Sequence, residues 1–333
     1  MKKGILWISV ILFMLVSLKS TLRADEKLAQ TGFQFLSVGP IGRASAMGEA
    51  YNTFEGGSAA LFYNPAGMAR MSRSIDLSVS WNSWIADINY NSFSMAYNPK
   101  DGLYGAFGLS VLWVDYGEFL GTMVWNNSKG YVDTENFTPK AMAIGFGYAK
   151  SLTDKFSVGG QIKYVAQSSG KNVIPDNETK SGLNVTKSVL STLAYDFGTI
   201  YHTGFKSLAF GMSVRNFSEE IKFVQEGFQL PLTFRIGISI NAMDFMEQLA
   251  DKHALFVAID AVHPRAHYEY INLGFEYKVL DMISLRGGYV TGQDEYDLTY
   301  GFGFEKFGLS FDYAYVPFGV FDDVQKITVT FSR

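Results

Sequence analysis

The 333-residue sequence contains no cysteine, only four histidines and eight prolines, and almost balanced charge. Without cysteine, the chain has no disulfide framework, no thiol nucleophile and no lipid-modified N-terminal cysteine. A net charge of −4 provides no broad basic surface, so we expect no nucleic-acid partner. Beyond the N-terminus, no stretch stays apolar for the roughly 20 residues that a membrane helix needs. The sequence therefore excludes disulfide-rich, nucleic-acid-binding and multi-helix membrane proteins.

The N-terminus has the features of an export signal. Lys2 and Lys3 precede an apolar run from Ile5 to Leu18, after which the chain turns polar. This run is short for a membrane span but suits the core of a secretory signal peptide. We therefore expect a signal peptide over residues 1–24 with cleavage after Ala24; a retained N-terminal anchor is the alternative.

Aromatic residues and glycine are abundant, and apolar residues recur at every second position. The chain has 33 Gly, 28 Phe and 19 Tyr. In a strand, successive side chains point to opposite faces, so each alternating segment has one apolar and one polar face. Such strands behind an export signal predict an all-β, transmembrane antiparallel barrel whose aromatics form girdles at both membrane interfaces. A soluble β-sandwich is the alternative. Five alternating segments close the chain: 271–279, 283–289, 298–305, 309–315 and 327–331.

The alternation predicts about fourteen strands, an even number as a bacterial barrel requires. Because the pattern runs without interruption, we expect a single barrel domain over residues 74–333. The predicted strands are 75–84, 89–97, 103–114, 140–150, 155–166, 188–197, 205–216, 229–240, 253–261, 268–279, 282–290, 296–305, 308–315 and 324–333.

The connections alternate in length. Those after even-numbered strands are mostly tight, whereas long polar segments at 115–139, 167–187 and 217–228 follow odd-numbered strands. Barrels place short turns in the periplasm and long loops outside, so we expect a multi-pass protein of the outer membrane of a Gram-negative bacterium, in contact with its lipid. The connection 241–252 breaks the rule, and we expect a short helix over Met243–Leu249.

Charged residues recur on the face of the strands that would line the lumen. Isolated charges inside a barrel must pair or meet water, so we expect them to neutralise one another rather than form a substrate site. The expected pair is Arg286 with Glu276 or Glu305. The lumen charges are Arg235, Asp260, Glu276, Arg286, Glu305 and Asp312.

Residues 32–70 are rich in small side chains and do not alternate. We expect an N-terminal hatch segment over residues 25–73 that folds back into the lumen, where irregular backbone is tolerated because it contacts protein or water. Asn64 and Pro65 suit a tight turn, and Gly67 permits close backbone approach. The candidate hatch motif is Gly39, Arg43, Met47, Gly48, Asn64, Pro65, Ala66 and Gly67.

Three motifs resemble those of the PorV/PorQ family of outer-membrane proteins, which is similar to the FadL fatty-acid transporters. They are Arg43-Ala44-x-Ala46-Met47-Gly48, Asn64-Pro65-Ala66-Gly67 and Leu285-Arg286-Gly287-Gly288-Tyr289. The resemblance implies a fourteen-stranded barrel with a hatch, and a type IX secretion accessory that binds the C-terminal signal domains of secreted cargo. The segment 321–326 departs from the Gly-x-Thr-His-Arg of many relatives, so PorV-type and PorQ-type both stay open.

Two functions remain as hypotheses. In the first, the protein is the secretion accessory, and Trp125, Tyr131 and Phe137 in the long loops contact protein partners. In the second, it is a FadL-like transporter for long-chain fatty acids or other hydrophobic small molecules. An apolar pocket behind the hatch would favour the second.

The sequence carries no catalytic signature. His263 and His267 lie close together, but we see no third ligand, so we expect no metal. No Gly-x-Ser-x-Gly elbow or phosphate-binding loop occurs. We expect no enzyme activity and no cofactor.

Overall fold

The computed structural model describes residues 31–175, 183–223, 226–246, 252–292 and 296–333. Fourteen antiparallel strands close into a barrel, and four short strands form two separate hairpins in the loops. The strands are β1 (Ile75–Ser83), β2 (Asn89–Tyr97), β3 (Ala106–Asp115), β4 (Thr122–Val124), β5 (Tyr131–Asp133), β6 (Lys140–Ser151), β7 (Phe156–Pro175), β8 (Leu183–His202), β9 (Ala209–Phe217), β10 (Ile221–Phe223), β11 (Glu226–Phe228), β12 (Thr233–Asn241), β13 (His253–Pro264), β14 (Tyr270–Val279), β15 (Ile283–Val290), β16 (Leu298–Lys306), β17 (Leu309–Val316) and β18 (Val324–Ser332).

Pairing of the first and last strands closes the barrel. β1 pairs with β2 on one side and with β18 on the other, where Leu77 lies opposite Phe331. Closure leaves the sheet without an edge whose backbone groups lack partners. The prediction of fourteen antiparallel strands is confirmed, and every predicted strand overlaps an observed one.

The hairpin of β7 and β8 is longer than predicted. Each strand has 20 residues, whereas the alternation predicts only 155–166 and 188–197. Pairing with β6 ends at Ser168, and a register shift follows there, next to Gly170 with φ of 85°. Beyond it, β7 and β8 pair only with each other. This part leaves the barrel wall, so no apolar face is required and the alternation disappears.

The outer surface of the barrel is apolar, whereas the inner surface carries polar and charged side chains among small and apolar ones. Outward side chains such as Leu285 and Phe302 are 59% and 47% exposed, whereas inward ones such as Ser80 and Asp260 are buried. An apolar surface this extensive is what a lipid-embedded barrel presents. Among the described residues, no helix is long and apolar enough to span a membrane.

The two ends of the barrel differ, and we name them the turn end and the loop end. At the turn end, a three-residue turn joins β14 to β15 and a two-residue turn joins β16 to β17, with positive φ at Leu280, Asp281, Phe307 and Gly308. Such turns match the twist of the paired strands. The connection after β12 contains a short 3-10 helix, Ala242–Phe245. The helix predicted over Met243–Leu249 thus begins one residue early, and its part beyond residue 246 lies outside the described residues.

Residues 31–74, here called the N-terminal segment, lie inside the barrel. Four short helical stretches follow one another: Gln34–Ser37, Gly42–Ala46, Ser58–Phe62 and Pro65–Met68. Their apolar side chains form the core of the molecule with inward residues of the wall, and Phe35, Met47 and Tyr63 are almost completely buried. The exact limits of the predicted hatch, 25–73, stay a prediction, since residues 25–30 lie outside the described part.

Candidate functional site

Arg43 of the N-terminal segment joins a buried ion-pair network on the barrel wall. Its Nη2 and Nε lie 2.6 and 2.8 Å from the Oε1 and Oε2 of Glu276, which is fully buried. Arg286 donates to the same carboxylate at 2.5 Å and to Asp312 at 2.7 Å. Two guanidinium groups thus share one carboxylate, which compensates the cost of burying these charges. Arg286 takes Glu276 as its partner, whereas Glu305 pairs with Lys278 at 2.9 Å near the turn end.

The other two lumen charges bind the backbone of the N-terminal segment. Asp260 accepts hydrogen bonds from the N–H groups of Tyr51 and Asn52, both at 3.0 Å. Arg235 donates from Nη1 to the carbonyl of Glu49 at 3.0 Å. These groups supply the backbone partners that a segment without regular structure lacks. The wall charges therefore act chiefly as anchors.

The Asn64-Pro65-Ala66-Gly67 motif forms a buried turn against β8. Asn64 accepts a hydrogen bond from the Ala66 N–H at 3.1 Å and donates to the carbonyls of Asn52 and Thr199 at 2.8 and 3.1 Å. Pro65 begins the following 3-10 helix, where no N–H is needed. A Cβ on Gly67 would lie 2.5 Å from the Phe54 carbonyl oxygen, so only glycine fits.

The first half of the candidate hatch motif, from Gly39 to Gly48, is bound by side chains of β16 and β18. Gly48, with φ of 60°, donates its N–H to the Thr299 hydroxyl at 3.0 Å. The carbonyl of Gly39 accepts from Lys326 Nζ at 2.7 Å, while Met47 is fully buried in the core. Lys326 was missed by sequence reasoning, although its position in the alternation of β18, two residues from Val324 and Thr328, places it on the inward face.

A cavity of about 220 Å³ lies between the N-terminal segment and the loop end. Three cationic side chains and one carboxylate line it, together with aromatic and aliphatic groups. Trp84 and Tyr296 both pack on Phe318, with ring centroids 5.1 and 4.8 Å apart. Its principal lining residues are Leu36, Val38, Glu49, Trp84, Arg215, Arg235, Tyr270, Asn272, Tyr296, Phe318 and Lys326.

A β-bulge lies next to one of these cations, Arg215. Where β8 meets β9 the register shifts between Tyr195 and Phe197, so Arg215 and Asn216 together face Asp196. Arg215 continues the inward series of Ala209, Gly211 and Ser213, as the alternation predicts. Asn216, with φ of 60°, is buried as well, and this second inward orientation is the one that the alternation does not predict.

A second cavity, of about 170 Å³, lies between the N-terminal segment and the turn end. Its charges are mainly acidic: Glu55, Asp76, Glu305 and Asp312 line it with Arg43. Asp76 accepts a hydrogen bond from the Ser58 N–H at 2.7 Å, and Glu55 lies 2.7 Å from His202. The N-terminal segment thus separates a mainly basic cavity from a mainly acidic one.

The pKa values of two glutamates of the N-terminal segment are shifted in opposite directions. Burial disfavours the charged form of Glu49, but Lys326, the Ser45 hydroxyl and Arg235 outweigh it and lower its pKa below the usual value. Burial of Glu55 outweighs the attraction of His202, so the pKa of Glu55 is raised.

The predicted loop-contact residues lie away from both cavities. Trp125 and Tyr131 flank the tip of the hairpin formed by β4 and β5 and are 40% and 46% exposed. Phe137 stacks on Phe119 at its base, with ring centroids 5.7 Å apart. Leu120 and Val124 add further exposed apolar surface, at 81% and 86%.

The two neighbouring histidines point to no metal site. His263 hydrogen-bonds to Glu269 at 2.8 Å on the surface, whereas His267 lines the loop-end cavity. Within the described ranges, no group of three or more His, Cys, Asp or Glu side chains could hold a metal ion.

Comparison with protein-family models found no match, and comparison with curated proteins found none either. Solved structures do match. The toluene transporter TbuX of Ralstonia pickettii is 14% identical, with a TM-score of 0.61 over 88% of this chain and 98% of its own. The toluene transporter TodX of Pseudomonas putida is 12% identical, with a TM-score of 0.58 over 88% and 97% of the two chains. A FadL homologue of Pseudomonas aeruginosa is 14% identical, with a TM-score of 0.53 over 87% and 97%. The chain has the fold of these transporters.

Proposed function

We propose that the protein carries hydrophobic small molecules across the outer membrane, with the N-terminal segment as the barrier inside the barrel. The observation that carries the proposal is the aromatic-walled cavity directly above that segment, in a barrel whose fold matches hydrocarbon transporters. Pockets of this kind, mostly apolar with a few placed polar groups, are typical of small-molecule sites.

The outer membrane of a Gram-negative bacterium is the proposed location. The apolar outer surface and the export signal support it, and the loop end then faces the exterior. A molecule entering from outside reaches the loop-end cavity first.

Passage further inward requires the N-terminal segment to move. The loop-end cavity borders β12 through Thr233 and Arg235, and the segment contacts the same strand, where Thr53 donates to the Ser239 hydroxyl at 2.7 Å. Separation of the segment from β12 and β13 would exchange these hydrogen bonds for bonds to water, at modest net cost for each. We therefore place the route along this wall.

The test is uptake of radiolabelled toluene and laurate by a Gram-negative host that lacks a channel of its own. We expect expression of the protein to accelerate uptake, and Thr233→Trp, which fills the cavity, to abolish the acceleration. Ile236→Trp on the outward face of the same strand is the matched control, since Ile236 is 45% exposed there. Equal uptake with and without the protein would refute the transport function.

The exposed hairpin of β4 and β5 favours a second candidate, the secretion accessory of the PorV/PorQ type. Its apolar side chains form a surface suited to a protein partner such as a C-terminal signal domain. Purified signal domains should then bind the protein, and a Trp125→Ala, Tyr131→Ala variant should lose this binding while retaining hydrocarbon uptake. Absence of binding to the unaltered protein would remove this candidate.

A further inference from the structure

Arg215 carries a positive charge into the loop-end cavity without a partner to neutralise it. The residue is only 8% exposed, its Nε has no hydrogen-bond partner, and its guanidinium forms no ion pair with any described residue. Its nearest aromatic contact is the ring of Tyr63, 5.9 Å away. A buried guanidinium in this state costs free energy that an anionic ligand would recover.

Asn272 adds an unused amide to the same cavity. The side chain is fully buried, and neither its nitrogen nor its oxygen has a hydrogen-bond partner among the described residues. Native interiors rarely leave both ends of an amide unsatisfied, so such a group indicates a position that a ligand or water completes. Its N–H₂ can donate to an anion beside Arg215.

The other charges around the cavity are largely engaged. Lys326 contacts the Gly39 carbonyl and the Ser45 hydroxyl, both at 2.7 Å, and lies 3.5 Å from Glu49. Asp196, the carboxylate next to Arg215 at the bulge, is paired with Lys163 at 2.8 Å. Arg235 donates to the Glu49 carbonyl, but its Nε is also unpartnered. The charge left over in the cavity is therefore positive.

Size and shape restrict the ligand further. An apolar protein cavity of about 150 Å³ accommodates benzene. The loop-end cavity, at about 220 Å³, has room for one ring and a small charged group but not for an extended alkyl chain. The faces of Trp84 and Phe318 suit an aromatic ring, which prefers stacked or edge-on contact.

We propose that the loop-end cavity is a binding site for compact aromatic acids, with the carboxylate on Arg215 and Asn272 and the ring against Trp84 and Phe318. The planar guanidinium binds a carboxylate through two parallel hydrogen bonds, which an ammonium group cannot do. The proposal rests on the transport function and makes one-ring acids its preferred substrates, ahead of neutral hydrocarbons and long-chain acids.

Equilibrium dialysis of the full-length protein in detergent, with labelled benzoate, toluene or laurate, tests the proposal. We expect benzoate to bind most tightly. Arg215→Gln should weaken benzoate binding at least tenfold and change toluene binding less than twofold. Asn272→Leu should weaken benzoate binding several-fold. The benzoate affinity of Arg215→Lys should lie between those of Arg215→Gln and the unaltered protein. Arg73→Gln, an exposed position of the N-terminal segment, is the control and should change nothing.

The outcomes separate this proposal from the one on which it rests. If toluene or laurate binds and benzoate does not, the aromatic-acid site is refuted while transport of hydrophobic molecules stands. If Arg215→Gln weakens benzoate and toluene alike, the carboxylate contact is refuted. If none of the three ligands binds, both proposals fail. Heat-modifiable migration of each variant shows that it is folded, and Arg215→Lys retains the charge if Arg215→Gln does not fold.

Discussion

The two cavities lie in one barrel but differ in the sign of their charge. The loop-end cavity is lined by Arg215, Arg235 and Lys326 against the single carboxylate of Glu49. The turn-end cavity is lined by four carboxylates against Arg43. An anionic ligand is therefore attracted to the first cavity and repelled by the second. Under the proposed transport function, an anion that passes the N-terminal segment would be released readily on the inner side.

The network around Glu276 anchors the N-terminal segment that separates the cavities, and removing the Glu276 carboxylate should have the largest effect. Glu276→Gln leaves the Arg43 and Arg286 guanidinium groups without their shared charge. Loss of one partner of a buried pair costs about 3 kcal/mol, at the lower end of the usual range, because Arg43 is partly exposed. Urea unfolding followed by tryptophan fluorescence measures this loss.

A matched glutamate provides the control. Glu305→Gln removes the same charge from the Lys278 pair, whose carboxylate side chain is 51% exposed. Screening by water limits that pair to less than about 1 kcal/mol. Equal losses for the two variants would contradict the anchoring role of Glu276.

Tight contact between the N-terminal segment and the wall should give the next largest effect. Gly48→Ala places a Cβ 3.0 Å from the Tyr289 nitrogen and 3.1 Å from the Leu273 oxygen, at φ of 60°. We expect a loss of about 2 kcal/mol from backbone strain and crowding together. Gly130→Ala also has a positive φ, of 78°, but nothing within 4 Å, so it should show only the strain, about 1 kcal/mol. Equal stability losses for the two variants would mean that the wall around Gly48 shifts to accommodate the added methyl group without cost.

The smallest effects, on pH dependence, should have opposite signs in the two cavities. Glu49 has a lowered pKa, so its contribution to stability is present above the ordinary pKa of a glutamate and is lost as pH falls through the lowered value. Glu55 has a raised pKa, so its contribution to stability is complete below the ordinary pKa of a glutamate. This contribution is lost as pH rises through the raised pKa.

Unfolding free energies measured against pH should separate the two groups. Glu49→Gln should flatten the acid side of the profile, and Glu55→Gln should flatten the part above the ordinary pKa. If both substitutions changed the same side of the profile, the opposite pKa shifts inferred for Glu49 and Glu55 would be wrong.

The barrel was predictable because each wall strand separates an apolar from a polar face over many residues. The extended hairpin of β7 and β8 was not, since beyond Ser168 the two strands pair only with each other and the sequence there resembles a polar loop. The non-alternating residues 32–70 indicated where the lumen would be filled, but not which wall charges would hold them.

The neighbours Arg215 and Asn216 show which part of the site was harder to predict. The alternation of the strand assigns Arg215 to the inward face and Asn216 to the outward face. The bulge that turns Asn216 inward as well depends on a register shift between β8 and β9, which only the paired structure displays. Two consecutive polar residues within a strand, one an asparagine that tolerates positive φ, were the available signal.

A disulfide lock tests most directly whether molecules pass by displacement of the N-terminal segment. Thr53→Cys with Ser239→Cys joins two side chains whose oxygens lie 2.7 Å apart, in a chain with no other cysteine. Uptake of labelled toluene by cells carrying this variant should stop under oxidising conditions and return on reduction, while each single variant stays active in both. Equal uptake in the oxidised and reduced states would contradict the account.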